Sequence, residues 1–187
     1  MSTDLTFFTN EPGASLADRF TQTLQAVKYF DVLVGYFRTS GFFRLADSLD
    51  NVEKIRILIG LNIDQRAFEV IDTVNTQQSF DFNSDKVTRE AAMEAVVGEI
   101  DYSEDNYNTE YGIRKFIEFL SADCVDPEKD QKNGGNGKKL EFRAYPSGNI
   151  HAKVYISRYN EEQMTDGSVI TGSSNFSESG LVANREF

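Results

Sequence analysis

Histidine and cysteine are almost absent from this chain, which contains one of each, His151 and Cys124. A single cysteine cannot form a disulfide within the chain, and one cysteine with one histidine cannot complete a zinc site made of nitrogen and sulfur ligands. No segment approaches the roughly 18 apolar residues that a membrane-spanning helix needs. The first 13 residues also lack the basic and apolar regions of a signal peptide. These absences predict a soluble, cytoplasmic protein without a membrane partner.

Length and composition predict one folded domain. The chain has 187 residues, 40% of them hydrophobic and 26% charged, which is enough to bury a core and too apolar for a disordered protein. Its last residues, NREF, are typical of the start of another β-strand. We therefore expect a single domain over residues 1–187 that is the N-terminal part of a longer protein.

Acidic residues outnumber basic ones by 30 to 19, which gives a net charge of −11. This balance argues against non-specific binding to nucleic acid or to an anionic membrane. The charge is unevenly spread, since residues 99–130 hold ten acids and three bases, whereas residues 138–158 hold five bases and one acid. The only histidine lies in this basic segment. Solvated surface is the simpler interpretation of either segment.

Hydrophobic periodicity in the first third of the chain predicts a parallel α/β unit. Apolar residues at helical spacing predict a helix from Ser15 to Lys28, with Ser15 as its N-cap. A strand from Asp31 to Phe37, a helix within residues 39–50 and a second buried strand in KIRILIGLN follow. The alternation favours an α/β fold with a mixed, largely parallel β-sheet flanked by helices.

The middle of the chain is predicted to be helical at Phe68–Val74, Val87–Val97 and Tyr111–Leu120. Residues 126–139 are polar and rich in glycine, so we expect a flexible loop there rather than an element. A β-hairpin is predicted next, with strands Leu140–Tyr145 and Ile150–Ser157.

Alternation along the second strand of that hairpin places His151 and Lys153 side by side on one face. A strand in SVITG then leads into a turn that contains Gly172, Ser173 and Asn175. A cation, an amide and a hydroxyl can together hold the non-bridging oxygens of a phosphodiester while the histidine attacks phosphorus. Glu186, a short distance on, can hold one ring nitrogen so that the other is the nucleophile.

Two short segments together resemble the HxK…GSxN signature of the phospholipase D superfamily. They are His151-Ala152-Lys153 and Gly172-Ser173-Ser174-Asn175. The trailing LVANREF is similar to the family segment in which a glutamate follows the asparagine turn, and residues 29–49 and 56–61 resemble the opening strands and helix of stand-alone family domains. The resemblance implies a phospholipase D-like fold that needs no metal or other cofactor. It implies a catalytic set in which His151 is the nucleophile and the phosphate ligands are Lys153, Ser173 and Asn175, with Glu186 as the acid that orients the histidine.

Domains of this kind often precede helicase or restriction modules, so the resemblance implies a nuclease acting on DNA through a phosphohistidine. Because the chain has one imidazole, a second one must come from a homodimer or from the sequence beyond residue 187. The family usually has an aspartate five residues after the lysine, where this chain has Arg158. That departure favours an alternative function, a catalytically weak or inactive DNA-binding and dimerisation module of a helicase.

Three other interpretations are open but less favoured. Hydrolysis of phospholipid headgroups lacks support, because no segment is amphipathic enough to dock on a membrane. A Ser-His-Asp hydrolase would need the G-x-S-x-G motif, which the sequence does not contain. In the third, His151 is an ordinary strand histidine beside an ordinary turn.

Overall fold

A five-stranded mixed β-sheet forms the centre of the structure, a computed structural model that describes residues 13–63, 107–144, 151–159 and 166–183. The strands lie in the order β3-β2-β1-β4-β5, and four of the five run in one direction, with β4 opposed. Helices flank the sheet, so the predicted α/β class with a mixed sheet is confirmed. The strands are β1 (Val27–Phe37), β2 (Lys54–Ile63), β3 (Leu140–Ala144), β4 (Val154–Tyr159) and β5 (Gly167–Thr171).

Four α-helices and three shorter turns connect the strands in the described part of the chain. The α-helices are α1 (Leu16–Thr23), α2 (Thr39–Leu45), α3 (Tyr107–Ser121) and α4 (Pro127–Lys132). Short 3₁₀ turns extend α1 and α2, and one π turn, Ser179–Ala183, follows β5. None of these helices is both long and apolar enough to cross a membrane. The helices predicted at 68–74 and 87–97 lie outside the described residues.

The start of α1 follows the sequence prediction, but its end does not. Ser15 is the N-cap: its hydroxyl accepts from the Asp18 N–H at 3.1 Å, and the Asp18 carboxylate accepts from the Ser15 N–H at 3.2 Å. The helix ends at Thr23 rather than Lys28, because Val27 already belongs to β1 and pairs with Tyr159 of β4. Pairing within the sheet thus prevails over the helical period at this junction.

Alternating residues of the central strands bury one face of the sheet beneath α1, α2 and α3. The β1 residues Phe30, Val32 and Val34 are at most 2% exposed. Phe116 of α3 lies 5.0 Å from Phe42 of α2, ring centroid to ring centroid. Full burial of each such side chain contributes roughly 1.5–3 kcal/mol, so this face supplies most of the hydrophobic stabilisation. The helix predicted at Tyr111–Leu120 is confirmed as α3, and its inner face is buried: Ile113, Phe116, Ile117 and Leu120.

The opposite face of the sheet, here called the outer face, is partly exposed. Ile156 is 37% exposed and Val169 is 64% exposed. Asp31 and Arg56 are paired across β1 and β2 on this face, and the Arg56 guanidinium donates two bonds of 2.6 Å to the Asp31 carboxylate. A bidentate pair in this position satisfies two charges beside apolar neighbours.

The predicted β-hairpin between Leu140 and Ser157 is wrong. β3 pairs in parallel with β2, whereas β4 pairs with β1, so two strands separate the two predicted partners. The local turn residues at 146–149 favour a reversal of the chain but do not determine which strands become neighbours. Hydrogen bonding of β3 to the far side of β2 buries Leu140.

Part of the segment predicted as a loop, 126–139, forms helix α4. Asp126 caps it, since its carboxylate accepts from the Lys129 N–H at 3.0 Å, and proline occupies the first turn. The residues after α4 are held by Asp130, whose carboxylate accepts from the Gly137 N–H at 2.8 Å. No residue of α4 is buried. Hydrophobic periodicity therefore carries no signal for this helix.

Candidate functional site

Three chain segments meet at one end of the sheet, where β1 and β5 finish and β4 begins. Register places Val154, the first residue of β4, between Leu33 of β1 and Thr171 of β5. The residues before β4 and the residues after β5 therefore lie next to each other. This is the carboxyl edge of the parallel strands, where ligands bind in many open α/β sheets.

His151 and Lys153 contact each other at this edge, although β4 begins only at Val154, so both residues precede the strand that was predicted to carry them. Lys153 Nζ lies 2.9 Å from His151 Nδ1 and donates a second bond, also 2.9 Å, to the His151 carbonyl oxygen. The histidine is exposed, whereas Lys153 is only 4% exposed. A buried ammonium thus contacts the imidazole of an accessible histidine.

The contact engages one ring nitrogen of His151. An ammonium group only donates hydrogen bonds, so Nδ1 is the acceptor in this contact. The Nδ1 lone pair is therefore held by Lys153. A phosphate that takes the Lys153 bonds would release Nδ1, because an anionic oxygen is the stronger acceptor for an ammonium.

The turn after β5 lies directly beside Lys153. The Gly172 N–H donates to the Lys153 carbonyl oxygen at 3.3 Å. Ser173 is exposed and Asn175 is half-buried. A Cβ at Gly172 would meet no atom within 4 Å, so the space at this glycine is open. Lys153 and the turn that carries Ser173 and Asn175 are thus brought together, as the sequence predicts.

Two further contacts fix this turn to the sheet. The Tyr155 hydroxyl donates to the Ser174 carbonyl oxygen at 2.7 Å. Phe176 is 1% exposed and stacks on Phe37 with the ring centroids 5.5 Å apart. Its carbonyl oxygen accepts from the Arg38 N–H at 2.9 Å. The turn is therefore attached to β4 at its centre and to the end of β1 at its far side.

Serine side chains cap the segment that follows the turn. The Ser177 hydroxyl accepts from the Gly180 N–H at 3.1 Å. Ser179 Oγ lies 3.2 Å from Ser177 Oγ. Ser40 in the first turn of α2 accepts from the Glu178 N–H at 3.3 Å, so α2 also contacts this segment.

Sequence reasoning missed Tyr155 and Arg38 as neighbours of the site. Nothing in the sequence indicates that the Tyr155 hydroxyl reaches the turn. Arg38 follows β1, over a hundred residues before His151, and only the sheet order reveals that its backbone binds Phe176. Glu186, predicted to orient the histidine, lies outside the described residues.

Arg158 does not belong to this site. It is five residues from Lys153, so the two side chains point to opposite faces of β4. On the outer face its guanidinium carbon lies 4.4 Å from the Tyr29 ring centroid, and its NH2 nitrogen lies 3.8 Å from Asp31. Arg143 also lies towards the outer face, where it lines a cavity of about 270 Å³.

The described part of the chain is thus an α/β protein with a histidine, a buried lysine and a polar turn at the carboxyl edge of its sheet. No protein-family model matches the chain, and no curated protein matches it at a significant level.

Proposed function

We propose that this chain is a phosphodiesterase of the phospholipase D type, with a phospholipase D-like fold, that cleaves DNA through a phosphohistidine without a metal ion. The observation that carries the proposal is the contact between His151 and Lys153 beside the turn that holds Ser173 and Asn175. These groups would supply a nucleophile, a fixed positive charge, a hydroxyl and an amide. Such donors stabilise the charge on phosphorus oxygens during displacement.

The proposed reaction has two displacement steps. In the first, the lone pair of one His151 ring nitrogen forms a bond to phosphorus, the bond from phosphorus to the leaving oxygen breaks, and a general acid protonates that oxygen. In the second, a general base takes a proton from water as the water oxygen bonds to phosphorus, the phosphorus–nitrogen bond breaks and the imidazole is restored. Lys153, Ser173 and Asn175 hold the non-bridging oxygens throughout, and Glu186 orients the ring.

Acid and nucleophile cannot be the same imidazole in one step. We propose that a second copy of the chain, related by a two-fold axis, supplies the other His151 at a shared phosphate. From the resemblance alone, we also propose that the domain works in the cytoplasm, as the N-terminal domain of a helicase or restriction-type protein.

The test is cleavage of single- and double-stranded DNA in EDTA by the wild type and by His151→Ala. We expect the variant to lose at least about a thousandfold in rate, because it lacks the nucleophile. Arg158→Ala is the matched control, since it removes a cation from the other face of the same strand and should cleave at the wild-type rate. Quenching with denaturant should trap a DNA–protein adduct with the wild type and not with His151→Ala.

A second candidate is a non-catalytic module that holds a DNA phosphate for an attached motor. The contact of Lys153 with Nδ1 also fits this module, because it engages one imidazole nitrogen while the lysine remains able to bind an anion. A folded wild-type protein that binds DNA, forms no adduct and cuts nothing would support this module and reject the nuclease. In that case His151→Ala should retain binding, and Lys153→Ala should weaken it.

A further inference from the structure

Tyr155 occupies an unusual place between the core and the site. Its ring is 2% exposed and packs against Phe20, with the ring centroids 5.1 Å apart. Its hydroxyl reaches beyond the core and donates to the Ser174 carbonyl oxygen at 2.7 Å. The residue that accepts this bond stands between Ser173 and Asn175, the two phosphate ligands proposed in the turn.

The same tyrosine is also fixed relative to Lys153. Lys153 stands immediately before β4 and Tyr155 lies within it, two positions on, and both side chains are buried. The Lys153 carbonyl oxygen in turn accepts from the Gly172 N–H at the start of the turn. Strand β4 therefore sets the position of Lys153 and also the position of the middle of the turn at Ser174.

We propose that Tyr155 is a positioning residue: by holding Ser174 it keeps Ser173 and Asn175 in register with Lys153 around one phosphate. This inference rests on the proposed function and adds a residue to it. Tyr155 touches no substrate and acts only through the turn. Removal of its hydroxyl should leave the core intact, since phenylalanine keeps the ring, and should free the turn to move relative to the lysine.

Tyr159 provides a matched comparison on the same strand face. Its hydroxyl donates to the Ser168 hydroxyl at 3.1 Å, a contact between β4 and β5 away from the site. Tyr155→Phe and Tyr159→Phe therefore make the same chemical change and each remove one hydrogen bond. A purely structural role for Tyr155 predicts that the two variants behave alike.

The experiment measures amide hydrogen exchange and cleavage kinetics for the wild type and both variants. The informative amides are those of Gly172, Ser177 and Arg38, which donate to carbonyl oxygens in or beside the turn. In Tyr155→Phe we expect these amides to exchange several-fold faster and kcat to fall by about tenfold or more with a smaller change in KM, because misplaced ligands act mainly in the transition state. Tyr159→Phe should keep wild-type values for both.

Equal exchange and equal kcat in the two variants would overturn the positioning role. If the wild type does not cleave DNA, the nuclease proposal fails, and the exchange data still decide about Tyr155. If the turn amides exchange faster in Tyr155→Phe but not in Tyr159→Phe, the result supports the role of the Tyr155 hydroxyl in positioning the turn. Identical exchange rates in the two variants reject that role.

Discussion

Lys54 is a buried cation whose partners come from the segment after α3. It is 3% exposed, and its Nζ lies 2.7 Å from Asp130, 2.9 Å from Glu141 and 2.9 Å from the Asn136 side-chain oxygen. An ammonium without partners could not remain at this depth, because desolvation would cost several kcal/mol. The three acceptors therefore connect β2, α4 and β3 through one side chain.

Replacement of Lys54 by methionine should be strongly destabilising. The variant leaves the carboxylate of Glu141 buried with fewer partners, and loss of one member of such a cluster costs about 3–5 kcal/mol in the free energy of unfolding. Urea denaturation measures this loss. Lys28→Met is the control, since Lys28 lies 3.4 Å from Glu53 at a half-exposed position, and such pairs contribute at most about 1 kcal/mol. Equal losses in the two variants would show that the buried cluster does not stabilise the fold.

The same cluster predicts a loss of stability in acid. Burial alone would raise the pKa of Glu141, but hydrogen bonds from Lys54 and Arg143 outweigh it and lower the pKa below its usual value. The pKa of Asp130 is lowered in the same way, as bonds from Lys54 and the Gly137 N–H outweigh burial.

Because the folded-state pKa values of both carboxyl groups are depressed, their contribution to stability is complete above the unfolded values, about 4. It is lost as pH falls through the folded values. Urea midpoints measured from pH 7 to pH 3 should therefore decline below about pH 5. The decline should be shallower in Lys54→Met, and an identical decline there would contradict the assignment to this cluster.

At the scale of elements, helix α2 contacts the backbone that follows the candidate site. A Cβ at Gly41 would lie 2.7 Å from the Ser177 nitrogen and 2.8 Å from the Phe176 carbonyl carbon. Helix propensity alone would make Gly41→Ala stabilising by about 1 kcal/mol. The contact is with backbone, which cannot rotate away, so overpacking of about 1–3 kcal/mol should prevail.

Gly41→Ala should thus lower the free energy of unfolding and slow any cleavage, because the turn that ends at Phe176 must shift. Gly172→Ala is the matched control for stability. It makes the same change in open space and should stay within about 0.5 kcal/mol of the wild type. Thermal unfolding of both variants measures the difference. A Gly41→Ala protein more stable than the wild type would show that α2 and this backbone can separate freely.

Elements that bury an apolar face could be predicted from the sequence, and those without one could not. The β1–α2–β2 unit and α3 were found because Val34, Phe42 and Phe116 each belong to an apolar pattern with strand or helix spacing. Helix α4 buries nothing and was missed. The hairpin was predicted wrongly because local turn residues do not specify the neighbour of a strand. Within the site, alternation predicted the His151–Lys153 contact, but Tyr155 depends on a register that no local pattern encodes.

At the scale of the whole molecule, the cations that the structure describes in the basic segment 138–158 do not form an open positive patch. Three of its cations pair with acids of the same chain: Lys138 with Asp123, Arg143 with Glu141 and Arg158 with Asp31. With a net charge of −11, long-range attraction for DNA is weak. Any recognition of a phosphodiester by the described residues therefore depends on the hydrogen-bond donors around Lys153 rather than on the overall surface charge.

The single histidine allows a stringent test of the proposed dimer. If each reaction needs His151 from two chains, a mixed dimer of wild type and His151→Ala is inactive at the shared phosphate. Samples unfolded together, refolded to random pairing and assayed in EDTA should then show activity that follows the square of the wild-type fraction. With half of the chains mutant, about a quarter of the activity should remain.

The mixing experiment needs a control variant and a mass measurement. Mixing the wild type with Arg158→Ala should leave activity unchanged, because that variant keeps its imidazole and alters only the outer face. A measurement of molecular mass must show that the protein is dimeric in every mixture. Activity that falls in direct proportion to the wild-type fraction would mean that each chain works alone, so that a group other than a second His151 must protonate the leaving oxygen.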